Sequence, residues 1–189
     1  MKIVLGVTGG VAAYKAADLC SGLIKQGHDV RVVMTENATR FVGEATFGGL
    51  TGSPVMTCTY ADPMAHIEWA KWPDVAAIAP LTANTMAKLD MGIADDALTT
   101  VFMAIPAATP ILLAPAMNTE MWGHPVTQRN RRWLHELGRY QFADPISKRL
   151  ACGDTGIGGL QEVPDLLSAI EKLMRDLRPA LSAGFASGR

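Results

Sequence analysis

The sequence predicts a doubly wound α/β fold, a mostly parallel sheet with helices on both faces (a three-layer sandwich of the flavodoxin or Rossmann kind). Three observations carry this. Short aliphatic, β-branched runs recur at residues 2–7, 30–34, 75–79 and 111–114. Segments with helical apolar spacing lie between them, and glycine, proline or a capping residue marks most junctions. Strands that alternate with helices pair in parallel through right-handed crossovers.

Residues 2–7 form the first strand, ended by Thr8-Gly9-Gly10. From Val11 to Gln26, Ala12, Ala16, Leu19 and Leu23 repeat at helical spacing, and Gly27 suits the end of that helix. Residues 30–34 are the second strand, and Thr35 opens a short helix through Phe41. Residues 44–58, with Gly48, Gly49, Gly52 and Pro54, have no clear period, and neither do the polar and aromatic residues 62–72. Residues 75–79 read as a buried strand closed by Pro80. A helix over 83–89 stops before Gly92, and Asp95 or Asp96 caps the next, which runs to Ala104. Residues 111–114 are the fourth strand. Residues 125–137 form a helix with Pro125 in its first turn, where the missing N–H costs nothing. Residues 140–143 make a last short strand. Residues 148–159 read as a glycine-rich mobile flap, 163–177 as an amphipathic helix, and 178–189 as a frayed, flexible tail. No linker or repeat divides residues 1–177, so they are read as one domain.

Composition narrows the function classes. At 189 residues, 49% hydrophobic and 19% charged, the chain is long and apolar enough for a packed core and not for disorder. A net charge of −1 with no basic stripe disfavours nucleic acid. Three cysteines without a CxxC pair point to reduced thiols and a cytoplasmic location. Lys2 to Gly6 runs directly into the first turn and reads as a strand, not a signal peptide. No apolar run approaches the roughly 18 residues of a membrane span.

The candidate chemistry gathers after strand ends, where open α/β sheets bind ligands. Gly9 and Gly10 follow the first strand and favour approach of an anion to backbone N–H groups, as a phosphate requires. Their spacing is neither GxGxxG nor a P-loop. Thr35 follows the second strand, and Thr82 and Asn84 follow the third. Each caps a helix or completes the phosphate or ribityl site. Pro115-Ala116-Met117-Asn118-Thr119-Glu120-Met121-Trp122 follows the fourth. Asn118 both donates and accepts, and so holds a carboxylate without adding charge. His66 is a general base, a carboxylate partner or a structural histidine. Cys152, in the glycine-rich flap, is a nucleophile, a proton donor or a buried structural thiol; Cys20 and Cys58 read as structural. No Cys/His spacing suits zinc and no GxSxG elbow is present.

Six segments together resemble the flavoprotein family of cysteine decarboxylases, which includes those acting on phosphopantothenoylcysteine in coenzyme A biosynthesis. They are Gly6 to Lys15, His66-Ile67, Ile78 to Lys88, Gly92 to Asp96, Pro115 to Trp122, and Ala151-Cys152-Gly153-Asp154. They keep the family's order over residues 2–177. Flavin prenyltransferases share the fold but lack the Pro-Ala-Met-Asn and Ala-Cys-Gly-Asp pair.

The resemblance implies FMN across the strand ends, held by Gly9, Gly10, Thr35, Thr82, Asn84, Ala114 and Met117. It implies His66, Asn118 and Cys152 as catalytic residues, with Asn118, Met121, Ala151, Gly153 and Asp154 on the substrate. The implied reaction oxidises the thiol, releases CO₂ and returns the hydride, with Cys152 giving the proton. The implied substrate is 4′-phosphopantothenoyl-L-cysteine and the implied assembly a homotrimer or a dodecamer of trimers, with Phe47 and Trp69 as exposed interface candidates. A separate cysteine-ligase domain is not expected here. In the flap, Gly158-Gly159-Leu160 stands where the family carries Gly-Arg-Met, so Lys148 or Arg149 is the candidate replacement cation. Two other readings stay open: an oxidative decarboxylase of a peptide's C-terminal cysteine, and a non-catalytic FMN-binding regulatory subunit.

Overall fold

Five strands align in parallel in the order β2–β1–β3–β4–β5: β1 Lys2–Val7, β2 Asp29–Met34, β3 Val75–Leu81, β4 Ile111–Pro115 and β5 Tyr140–Phe142. This is a computed structural model, and it describes residues 1–59, 62, 64–151, 153 and 155–184. Because β1 and β3 are neighbours, the winding reverses between them and a crevice opens at their carboxyl ends.

Strand periodicity divides the core into two layers. Ile3, Leu5 and Val7 of β1 face one side, with Leu112 and Ala114 of β4. They meet α1 Tyr14–Lys25, α3 Glu44–Thr51 and α9 Val163–Gly184 through Leu19, Phe47 and Ile170. Val4, Ile78 and Leu113 face the other side. There they meet α4 Ala65–Lys71, α5 Ala83–Met91, α6 Ala97–Ala104 and α8 Pro125–Glu136 through Ala70, Met86, Phe102 and Leu134. The doubly wound sandwich is thus as the sequence predicts.

Several boundaries differ, each for a physical reason. α1 is preceded by a 3₁₀ turn, Val11–Ala13. Residues 44–51 form helix α3 despite their glycines, because Phe47 is fully buried against the sheet and anchors it. Phe47 is therefore core and not an exposed interface residue. Trp69 is half-buried, with the Arg31 guanidinium 5.4 Å from its ring centre. Residues 65–71, which have no clear period in the sequence, form α4, so His66 sits within a helix that precedes β3. Pro80 does not close β3. The strand continues to Leu81, whose carbonyl accepts from Ala116 N–H at 3.0 Å. A short α7 Thr119–Gly123 follows β4, and α9 runs on to Gly184. The glycine-rich segment is no loop: β6 Ile146–Arg149 and β7 Thr155–Gly159 pair as an antiparallel hairpin.

Capping follows the sequence. Thr35 caps α2 Glu36–Thr39, Thr82 caps α5, and Asp96 forms a capping box with Thr99. Gly27 and Gly92 end their helices in the left-handed region, at φ 82° and 69°.

One buried side chain ties two strand ends together. The Thr8 hydroxyl, fully buried, donates to Pro80 O at 2.8 Å and accepts from Thr82 N–H at 3.0 Å. We expect Thr8→Val to orphan both groups and destabilise the protein by about 2–4 kcal/mol, and Thr8→Ser to recover most of that, as urea unfolding would measure. Cys20 is buried in α1, and burial pushes its thiol up to about 11. The unfolded chain ionises this thiol near 9 and the folded chain does not, so stability should fall as pH rises from about 9 to about 11. Cys20→Ala should flatten that part of the stability–pH curve.

Candidate active site

Loops from four parallel strands converge at the crevice and wall a cavity of about 950 Å³. Gly9, Gly10, Val11 and Ala12 come from the end of β1, Thr35 and Asn37 from β2, Thr82 and Asn84 from β3, and Ala116, Met117 and Asn118 from β4. All four leave the same sheet edge because all four strands are parallel. The hairpin closes a further wall with Lys148, Leu150, Ala151, Gly158 and Gly159.

The β1–β3 side is a donor-rich floor. The first turns of the helices after β1, β2 and β3 leave N–H groups without intrahelical partners. Gly10 faces open space: a Cβ there would meet nothing nearer than Thr82 Cγ2 at 3.8 Å. Gly9 has a different task. A Cβ on it would lie 2.6 Å from Asn37 Cβ, so its missing side chain lets the loop after β2 close onto the loop after β1. Thr35 Oγ1 accepts from Ala38 N–H and Thr82 Oγ1 from Thr85 N–H, each at 3.3 Å. Both threonines therefore cap a helix and line the cavity.

Asn118 stands at the N-terminus of α7, where its Oδ1 accepts from Glu120 N–H at 2.8 Å. That bond fixes which end of the amide is the acceptor. The hairpin is fastened beside it, with Met117 N–H donating to Gly158 O at 2.9 Å. The approach is so close that a Cβ on Gly158 would fall 2.2 Å from Met117 O. Gly158 is thus required by contact between two backbones.

Charges sort to two sides. Lys88 bonds Asp95 at 2.6 Å and Asp96 at 3.0 Å. Burial pulls the Lys88 ammonium down, but the two carboxylates outweigh it and leave it above the ordinary lysine value. The hydrogen bond from Lys88 holds Asp95 below the usual carboxylate range. By the hairpin, Lys15 and Lys148 share Glu162, at 2.8 and 3.2 Å. Their hydrogen bonds, Lys15 first, hold Glu162 low. Burial, then the neighbouring Lys15, lowers Lys148.

Of the predicted residues, Gly9, Gly10, Thr35, Thr82, Asn84, Met117, Asn118, Met121 and Ala151 line the cavity. Ala114 does not. It is a fully buried strand residue packed into the core beneath α9, and the half-buried Ala116, two residues on, lines the cavity instead. Gly153 occupies the exposed hairpin turn at φ 95°, outside the lining. His66 lies on α4, which packs against α6, and is not among the lining residues. Cys152 and Asp154 lie outside the described residues. Cys58 is exposed and so is not a buried structural thiol. Asn37, Lys15, Lys88, Asp95 and Asp96 also line the site, although none had been singled out as a site residue from the sequence. Lys15, Lys88, Asp95 and Asp96 lie within segments that carry the family resemblance, whereas Asn37 had only its nearness to a strand end as a signal. Among the described residues, no helix is long and apolar enough to cross a membrane.

Comparison with known proteins agrees with this geometry. The probable phosphopantothenoylcysteine decarboxylase of Streptococcus mutans is 42% identical over 175 residues, covering 90% of this chain and 97% of that protein. The coenzyme A biosynthesis bifunctional protein CoaBC of Bacillus subtilis is 43% identical over 175 residues, covering 90% of this chain but only 42% of that protein. The chain thus spans less than half the length of the bifunctional relatives it matches. A PPC decarboxylase variant solved in complex with pantothenoylaminoethenethiol superposes with a TM-score of 0.84 at 35% identity, over 92% of this chain and 98% of that one. The FMN-binding protein AtHal3 gives 0.81 at 34%, over 93% and 97%. The Flavoprotein family profile matches residues 1–175, and the chain belongs to that family.

Proposed function

We propose that this protein is an FMN-dependent decarboxylase that converts 4′-phosphopantothenoyl-L-cysteine to 4′-phosphopantetheine in coenzyme A biosynthesis. The observation that carries the reading is the juxtaposition of Asn118 with a phosphate-suited floor in one cavity, in a chain 42% identical to a probable phosphopantothenoylcysteine decarboxylase over nearly its whole length.

The residues present fit FMN. The open backbone at Gly10, the hydroxyls of Thr35 and Thr82 and the amides of Asn37 and Asn84 form a donor set for a phosphate monoester and a polyol. Pro80, Ala116 and Met117 offer an apolar wall for a ring. Bound FMN supplies a reversible two-electron acceptor for oxidation of the substrate thiol beside its carboxylate.

The chain's own part is to hold and to exclude. Asn118, with Oδ1 engaged by Glu120 N–H, is the amide that orients the substrate carboxylate. A neutral amide orients that group without the ground-state stabilisation a cation would add. The hairpin forms one wall of the site, and Cys152 gives the proton that completes the thiol product.

The active unit is a homotrimer, alone or as a dodecamer of trimers. Exposed Val11, Tyr14 and Met121 rim the cavity, and within one protomer His66 lies away from it. A neighbouring copy that brings α4 to this rim would cover the apolar residues and complete the site with His66.

Purified protein incubated with FMN should turn yellow. Mass spectrometry of the product from 4′-phosphopantothenoyl-L-cysteine should show loss of CO₂ with no net oxidation. A product lighter by two further hydrogens favours the oxidative reaction, and absence of CO₂ favours a regulatory FMN-binding subunit. Asp caps helices as well as Asn does. Asn118→Asp should therefore fold and bind FMN, yet lose turnover by more than a hundredfold, on the order of 3 kcal/mol, through repulsion of the substrate carboxylate. Near-wild-type rates would remove Asn118 from the site.

A further inference from the structure

The hairpin carries a cation where its own glycine leaves room. β6 alternates half-buried and exposed: Ile146 and Lys148 are half-buried, Ser147 and Arg149 are exposed, and both cations of the strand line the cavity. The Lys148 stem lies across Gly159 on the facing strand. A Cβ added at Gly159 would come within 2.3 Å of Lys148 Cε, 2.7 Å of Cγ and 2.9 Å of Cδ. The ammonium donates to Leu160 O at 2.8 Å and to Glu162 Oε1 at 3.2 Å. An ammonium has three donors, so these two bonds leave the third for a ligand. Glu162 also accepts from Lys15 at 2.8 Å, so two cations share one carboxylate and the cluster keeps a net positive charge. Lys15, Lys148 and Gly159 all line the cavity.

We propose that Lys148, seated over Gly159, is the specificity-determining residue for the phosphate of the substrate. This rests on the decarboxylase reading above and adds to it the group that recognises the substrate's distal charge. The donor floor near Gly10 and Thr82 takes the cofactor's phosphate; a second phosphate in the same cavity needs its own counter-charge. Lys88 is committed to two carboxylates on the opposite side. The Lys15–Lys148–Glu162 cluster has cation in excess. Leu160 O and Glu162 hold the Lys148 ammonium in place before a ligand arrives, which lowers the ordering cost of binding. Gly159 is the steric partner of this arrangement: any side chain there displaces the lysine stem.

The test is a cycle of protein variants against ligand charge, on the FMN-loaded protein. Calorimetry gives Kd for 4′-phosphopantetheine and for pantetheine, which lacks the phosphate. Wild type should prefer the phosphorylated ligand by at least roughly tenfold, the worth of one charge-assisted hydrogen bond. Lys148→Gln keeps the stem and removes the charge. It should abolish most of that preference while leaving pantetheine affinity and the flavin absorbance unchanged. Gly159→Ala should produce the same selective loss by pushing the ammonium away. The double variant should be no worse than Lys148→Gln alone, because both act on one contact. Equal weakening for both ligands, no weakening for either, or additive losses would each overturn the proposal. Wild type that releases CO₂ but does not discriminate the ligands overturns this inference alone. Wild type that binds neither ligand and releases no CO₂ overturns the decarboxylase reading, and this inference with it.

Discussion

The buried hydroxyl of Thr8 is the constraint on which the site depends. It links the end of β1 to the end of β3 through Pro80 O and Thr82 N–H. Those ends flank the crevice where the winding of the sheet reverses. Proline has no N–H to give and its carbonyl is buried with it, so a donor must come from elsewhere. Thr8 supplies that donor, and accepts from the next residue but one. The same residue fixes where the helix after β3 begins, since Thr82 caps α5. The two donor-rich turns of the cavity floor are therefore held at one separation by one side chain, in a place where water cannot substitute for it.

A second fastening sets the opposite wall. The hairpin belongs to neither core layer, and it is held against the end of β4 by backbone contact at Met117 and Gly158. Gly156 lies equally close, since a Cβ on it would fall 2.5 Å from Thr119 Oγ1. These glycines confer proximity here and not mobility. The segment that carries Asn118 is thus braced from both sides, by β3 through Leu81 and Ala116, and by β7 through Gly158. An amide held on both sides in this way is fixed in position without any charge of its own.

Charge follows the same division of labour. The acidic side, Asp95 and Asp96, is neutralised in part by Lys88, and Asp96 also caps α6. The basic side is held by Glu162 at the entry to α9. Lys88, Lys15 and Lys148 are each oriented by carboxylates of the protein itself. The cavity therefore keeps its electrostatic layout without a ligand, and the cost of arranging it is met during folding.

The sequence by itself determined the sheet, its parallel order of strand and helix and the motif around Asn118, and it narrowed the caps to a few residues, among which the structure selects Thr35, Thr82 and Asp96. These are legible because period, capping and turn chemistry are local properties. Residues 44–51 escaped it because helix α3 is made by burial of Phe47, which outweighs the glycines' local preference. The hairpin escaped it because its glycines serve contacts with Met117, Thr119 and Lys148, all distant in the chain. Ala114 and Ala116 look alike in sequence and pack toward the same layer, yet Ala114 lies within β4 and is fully buried, whereas Ala116 lies past the strand's end and reaches the cavity. His66 lies in one of the recognised motifs but is placed away from the cavity by α4. The pairing of Lys15 and Lys148 around Glu162 was equally invisible. Only the tertiary structure decided these, because each depends on which distant backbone or charge a residue meets once the sheet has closed.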